Sequence, residues 1–221
     1  MRFMNLLLLL FLGNIPGMAQ EAKVPTSVYY ERKADLFTVL PNASDEIILL
    51  GNSITDGGNW FELLGDPRIK NRGISADVTR GIINRLDEVT ESKPLKVFLL
   101  IGINDLSKEA SLANIIQNIH TIIDRIHSAS PGTRIYIQSV LPVNPVYQKY
   151  LNHVNKSAEV IQLNQDLFKL CGKSKAEYID LYGRFVTSDG YLNPEYTNDG
   201  LHLSGKGYLV WADILKPYIN E

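Results

Sequence analysis

The sequence predicts one α/β domain built on a central parallel sheet of about five strands. Three observations lead there. The chain has 221 residues, 45% of them hydrophobic and 21% charged, which suits one soluble globular core and not a disordered, collagen-like or coiled-coil chain. From Glu46 onward, short unbroken apolar runs end at turn residues, as strands do when both faces are covered. Amphipathic stretches of helical spacing separate these runs, and that alternation implies βαβ units.

The first segment, Met1–Ala19, reads as an export signal. Arg2 gives a positive start, Leu6–Leu12 is an unbroken apolar run, and Gly17-Met18-Ala19 places small residues around a cleavage point. The run is far shorter than the ~20 residues that span a bilayer. Gly13, Asn14, Pro16 and Gly17 break the pattern at once, and no cysteine follows to carry a lipid. The expectation is an exported chain, periplasmic or secreted, with no stable membrane anchor. Residues 20–45 form a lead-in. Within it, Val24–Asn42 mixes aromatic and charged residues (Tyr29, Tyr30, Arg32, Phe37) and reads as a short helix or lid on the outside of the domain. The domain proper spans 46–221.

Its candidate strands are Ile47–Leu50, the weaker Arg68–Arg72, Lys96–Ile101, Arg134–Val140 and Tyr178–Leu181. Four apolar stripes mark the helices between them. The first is Ile82, Ile83, Leu86 and Val89. A longer one runs from Leu112 through Ile115, Ile116, Ile119, Ile122 and Ile123 to Ile126. Val154, Ala158, Ile161, Leu167 and Leu170 form the third, and Tyr208, Trp211, Ile214 and Leu215 the fourth.

Charge and cysteine count narrow the function. A net charge of −2 argues against nucleic-acid binding, which calls for a strongly basic face. One cysteine, Cys171, excludes an intrachain disulfide and any multi-cysteine metal site.

In an open parallel sheet, ligands bind beyond the carboxyl ends of the strands. There the chain presents Gly51-Asn52-Ser53-Ile54-Thr55, then Asn71-Arg72-Gly73, then Gly102-Ile103-Asn104-Asp105, with Asp199-Gly200-Leu201-His202 before the last helix. These residue types suit acyl transfer. A serine needs a base to take its proton, and His202 can serve. Asp199 can hold that imidazole in the right tautomer. The backbone N–H groups of Ser53 and Gly73 and the Asn104 amide can stabilise an oxyanion, helped by a helix starting just after Ser53.

Each block has a plainer reading on its own: a turn and cap at Ser53, turn chemistry at Gly73, a cap for the following helix at Asn104-Asp105. Asp199 and His202 resemble half a metal site, but no partners at zinc spacing accompany them. His120, His127 and His153 read as surface or packing residues. All four blocks in one order carry far more weight than any one alone.

Together they resemble the signature blocks of the SGNH (GDSL-type) hydrolases, over about Ile47 to Trp211. The likeness extends to the branch holding platelet-activating-factor acetylhydrolase catalytic subunits and exported bacterial acetylesterases. It implies a flavodoxin-like three-layer α/β/α sandwich and ester hydrolysis with no cofactor or metal. The nucleophile would fall on Ser53, the oxyanion hole on Ser53, Gly73 and Asn104, and the acid and base on Asp199 and His202. Asn52 stands where that family often has aspartate. Ala76 stands where a second glycine is common, which narrows the loop beside the oxyanion hole.

The expected function is hydrolysis of short-chain acyl esters, with O-acetyl groups on carbohydrate the favoured target. A lipid acylhydrolase, a thioesterase or an acyltransferase would share the same core. A non-catalytic binding module would leave the Asp199/His202 pair without purpose. Partners are a small-molecule or glycan ester, with no nucleic acid. Ile54, Ile74, Ile103, Leu201 and Leu203 adjoin the catalytic positions, some as acyl-slot lining and others as core. The Tyr191–Tyr196 segment offers either a sugar platform or packing.

Overall fold

The apolar runs form a five-stranded sheet: β1 (Ile47–Gly51), β2 (Ile69–Gly73), β3 (Lys96–Leu100), β4 (Arg134–Gln138) and β5 (Glu177–Ile179). Every neighbouring pair is parallel, in the spatial order β2-β1-β3-β4-β5. A computed structural model describes residues 27–221 of the chain, so the expected leader Met1–Ala19 lies outside the described residues.

The helices follow the chain: α1 (Val28–Val39) precedes β1, and α2 (Ser53–Asp56) and α3 (Trp60–Leu64) join β1 to β2. Then come α4 (Thr79–Asn84) and α5 (Leu86–Thr90) before β3, and α6 (Ile103–Ser107) and α7 (Leu112–Ala129) before β4. After β4, α8 (Leu151–Val154) and α9 (Ser157–Cys171) lead to β5, and α10 (Tyr182–Phe185) and α11 (Gly205–Asn220) close the chain. The helices α4, α5 and α9 pack on α7, while α3 packs on α11, which gives one helical layer on each face of the sheet. This is the flavodoxin-like, doubly wound arrangement. Its strand order reverses between β1 and β3, and that switch point is where such folds bind ligands.

The residues explain the layers. Every side chain of β1 and β3 is buried, as a strand covered on both sides requires. Ile115, Ile119, Ile122, Ile123 and Ile126 form the buried stripe of α7. On the other face Trp60 and Trp211 meet edge to face at 4.6 Å, and Trp211 Nε1–H donates to Gln138 Oε1 at 2.7 Å.

Two helical stripes differ from the sequence reading. Ile82, Ile83, Leu86 and Val89 are all buried, but on two helices that meet at Arg85, whose guanidinium turns inward to buried carboxylates and carbonyls. The third stripe breaks near Asn155–Lys156, so the phase set by Val154 does not carry on. The buried face of α9 is Val160, Leu163, Asn164, Leu167 and Cys171, and Ile161 is exposed.

Candidate active site

Ser53 opens α2, a helix of one turn at the end of β1. A single turn is too short to hold itself together, and its dipole is correspondingly small, so tertiary bonds must fix it. Asn52 Oδ1 accepts from Ile54 N–H at 3.0 Å, capping the turn. The carbonyl of Ile54 accepts from Tyr208 Oη–H at 2.8 Å. That of Thr55 accepts from Trp60 Nε1–H at 2.8 Å and from Asn71 Nδ2–H at 3.1 Å. Residues from α3, β2 and α11 therefore clamp the serine-bearing turn.

Before α11, the Asp199–His202 loop turns its side chains toward Ser53. His202 Nδ1 lies 2.8 Å from Asp199 Oδ2, and Ser53 Oγ lies 3.0 Å from His202 Nε2. A carboxylate can only accept, so Nδ1 carries the proton and Nε2 accepts from the serine hydroxyl. Asp199 Oδ1 accepts from the N–H groups of Leu201 and His202 at 2.9 and 2.8 Å. Burial by itself raises the Asp199 pKa. The hydrogen bonds from His202 and from the two amides outweigh it and hold the carboxyl below its usual range. The turn needs Gly200, which has φ of +84° and whose β-carbon would collide with the Asn144 carbonyl.

The oxyanion-hole candidates divide. Ser53 N–H heads a helix and has no acceptor within it. Asn104, on α6, is buried and donates one Nδ2–H to the Asp77 carbonyl at 2.8 Å, which leaves its second N–H. Gly73 N–H donates to Asn71 Oδ1 at 2.8 Å, so that amide has a partner of its own. Asp105 caps α4 instead of its own helix: its carboxylate accepts from Thr79 N–H and Oγ–H.

Beneath these loops lies a buried ionic network. Arg85 donates to Asp77 at 2.9 Å, to Glu88 at 3.2 Å and to the Arg72 carbonyl at 2.9 Å, and Arg72 also pairs with Glu88. Desolvation pushes the Asp77 carboxyl up to about 6 against the pull of Arg85. Phe37 of α1 lies under the Arg72 and Arg85 guanidinium groups. Tyr29 of the same helix donates to Asp56 at 2.6 Å. The lead-in helix is thus seated beside the serine turn.

Sequence reasoning missed the loop after β4. Its Asn144 N–H donates to the Gly200 carbonyl at 2.8 Å, and Tyr147 Oη–H donates to the Thr197 carbonyl, stitching it to the Asp199–His202 loop. The loop carries Tyr150, half exposed, whose ring centroid is 5.1 Å from that of His202. It also carries His153, whose Nε2 is 2.9 Å from Asn104 Oδ1. His153 is therefore a site residue and not the surface or packing residue expected. The signal for it is positional: the segment follows the carboxyl end of β4, the side of the sheet where ligands bind. His120 and His127 are half-buried residues beside Asp124 and Lys175.

The GDSL-like Lipase/Acylhydrolase family model matches residues 49–210. The chain belongs to that family. The α2 subunit of platelet-activating factor acetylhydrolase IB from Homo sapiens is 32% identical over 165 residues, covering 72% of this chain and 66% of that protein. The chain thus spans slightly under two thirds of the α2-subunit relatives it matches. A Streptococcus pneumonia protein provisionally assigned as a platelet activating factor superposes with a TM-score of 0.79 at 29% identity, covering 86% of this chain and 91% of that one. An acetylxylan esterase from Geobacillus stearothermophilus shares the fold, with a TM-score of 0.63 at 16% identity over 81% of this chain and 95% of that one.

Within this member of the GDSL-like family the two departures from pattern acquire a physical meaning. Asn52 caps α2 through its Oδ1, an acceptor that aspartate also provides. Ala76 sits at φ of +66° with an exposed side chain, so its cost is backbone strain at a position that suits glycine. Ile54, Ile74, Ile103, Leu201 and Leu203 are all buried and belong to the core. Tyr196 packs edge to face on Phe185. A cavity of about 700 Å³ lies elsewhere, between α9 and β5, lined by Ile161, Phe168, Tyr178 and Tyr182 among others. Cys171 is buried at the end of α9, and burial pushes its thiol up to about 11, which makes it a poor nucleophile.

Proposed function

We propose that the protein is a serine esterase that removes short acyl groups, acetyl above all, from carbohydrate. The observation that carries the reading is the continuous relay from Ser53 Oγ through His202 to Asp199, at 3.0 and 2.8 Å. His202 takes the Ser53 proton as Oγ attacks the acyl carbon, and Asp199 stabilises the imidazolium that forms. Ser53 N–H and the second Asn104 Nδ2–H meet the oxyanion. Gly73 N–H joins them by exchanging its bond to Asn71. His202 then returns the proton to the departing alcohol. Water, activated by the same imidazole, releases the acyl group from Ser53.

Short acyl groups fit two features. The apolar neighbours of the catalytic positions are core residues, and the likeness at 32% identity is to an acetylhydrolase. The half-exposed Tyr150 ring beside His202 supplies a flat apolar face of the kind that stacks on a sugar. Export through the Met1–Ala19 leader would place the enzyme with extracellular glycans.

A second reading, deacetylation of a glycerophospholipid, is favoured by the same named relative. A substrate panel separates them: acetylated oligosaccharides, an acetyl-glycerophospholipid and an acyl-thioester, with free acid and transferred acyl measured separately. Preferred turnover of the lipid overturns the carbohydrate reading. A fluorophosphonate should label intact protein at Ser53, and turnover of p-nitrophenyl acetate that persists in Ser53→Ala overturns the serine mechanism.

A further inference from the structure

Asn104 is the one oxyanion-hole candidate that acts through a side chain, and a carboxamide can point either way round. Its Nδ2 faces the Asp77 carbonyl at 2.8 Å, and its Oδ1 faces His153 Nε2 at 2.9 Å. The amide oxygen has no hydrogen to give, so the imidazole must donate, and His153 Nε2 must carry the proton. We propose that His153 is a positioning residue for ester hydrolysis: its Nε2–H holds the Asn104 carboxamide with the nitrogen, not the oxygen, presented to the oxyanion.

The two bonds work as a pair. Turning the amide over would place its oxygen against the Asp77 carbonyl and its nitrogen against the His153 N–H, two repulsive contacts in a buried site. The Asp77 bond alone leaves the amide free to swing about it. The His153 bond removes that freedom, and a donor that is already aimed requires no reorganisation as charge develops.

The fold builds the contact deliberately. His153 lies on α8, which packs on α6, the helix of Asn104. Tyr150 precedes α8 at a φ of +51°, a conformation rare for a residue with a side chain, and its ring meets both His153 and His202 edge to face. Burial holds His153 below its ordinary pKa, with His202 and Lys108 adding to the effect. The site therefore favours the neutral imidazole, the form that donates without setting a second positive charge beside the imidazolium that His202 becomes.

This inference rests on the esterase reading, and a double-mutant cycle on p-nitrophenyl acetate separates the two. His153→Phe keeps a planar ring but has no donor, and should lower kcat on the order of tenfold with KM changed less than about twofold. His153→Gln, which restores an N–H, should recover most of that loss. In an Asn104→Ala background, His153→Phe should cost nothing further, because there is no amide left to hold. Thermal denaturation of each variant reports folding separately. A kcat within twofold of the parent in His153→Phe overturns the proposal, as does the full tenfold loss persisting in the Asn104→Ala background. If Asn104→Ala itself leaves kcat unchanged, the oxyanion-hole reading fails, and this inference fails with it.

Discussion

Gly73 lies directly against the backbone of Asp56, with no room between them: a β-carbon on Gly73 would overlap the Asp56 nitrogen and α-carbon. The end of β2 thus supports the helical turn that presents Ser53. Gly73→Ala must push that turn away, and the clash is with backbone, which cannot rotate aside. The expected result is a loss of about 1–3 kcal/mol in urea denaturation. A fall in kcat on p-nitrophenyl acetate of about a hundredfold should accompany it, since a misplacement of about 1 Å has that effect.

On the proposed esterase mechanism, Asn104→Ala removes an oxyanion donor from a buried site. Loss of such a donor raises the barrier by about 3 kcal/mol, so kcat should fall between a hundredfold and a thousandfold. KM should change little, because the donor serves charge that exists only in the transition state. Steady-state kinetics on p-nitrophenyl acetate test this; a KM effect without a kcat effect would make Asn104 a substrate-binding residue only.

Ala76 holds a left-handed backbone at φ of +66°. That conformation costs an L-residue about 1–2 kcal/mol, part of which glycine gives back through its freer unfolded chain. Ala76→Gly should therefore stabilise the protein by about 0.5–1 kcal/mol, read as a rise in Tm. A lowered Tm would mean that the alanine methyl makes a contact worth more than the strain.

Arg85 holds two buried carboxylates, Asp77 and Glu88, and also donates to the carbonyls of Gly51 and Arg72 at the ends of β1 and β2. Arg85→Leu strands Asp77 and leaves Glu88 with Arg72 alone, and breaking a buried pair in this way costs about 3–5 kcal/mol. Urea denaturation should show a loss of that size. The site loops above should loosen as well, giving a lower kcat even where the variant is folded.

Two groups of the site lose their stabilising contribution on acidification, against the opposite contribution of buried Asp77, whose raised pKa of about 6 favours its protonated form in the fold. His153 has a folded pKa below its ordinary 6.5, so the fold favours its neutral form. Its contribution is complete above the unfolded value and is lost as pH falls through the folded one. Asp199 is held below its ordinary 3.8, so its contribution is lost only in stronger acid. Urea midpoints measured from pH 8 to pH 3 in the parent and in His153→Gln isolate the His153 loss, as a difference between the two that appears below about 6.5, while the Asp199 loss follows below about 4 in both.

Much of this was legible because it depends on residues close together in the chain. The strands are unbroken apolar runs, and the Asp199/His202 pair is three residues apart, so one turn presents both. The α7 stripe was read correctly because a single uninterrupted helix keeps one phase from Leu112 to Ala129. The α9 stripe was not, because the chain breaks before it and resets the phase, leaving Ile161 outside.

The sequence by itself determined the element types, the parallel sheet, and the four blocks that meet at its edge. Those follow from periodicity and from the rule that the carboxyl ends of parallel strands share one side. The tertiary structure alone decided which partner each polar group of the site takes. Asn71 occupies the Gly73 amide, Arg85 splits what reads as one helix, and His153 reaches Asn104 from 49 residues away. The physical reason is that a buried polar group must find a partner wherever packing places one. Packing between segments far apart in the chain leaves no periodic trace in the residues themselves.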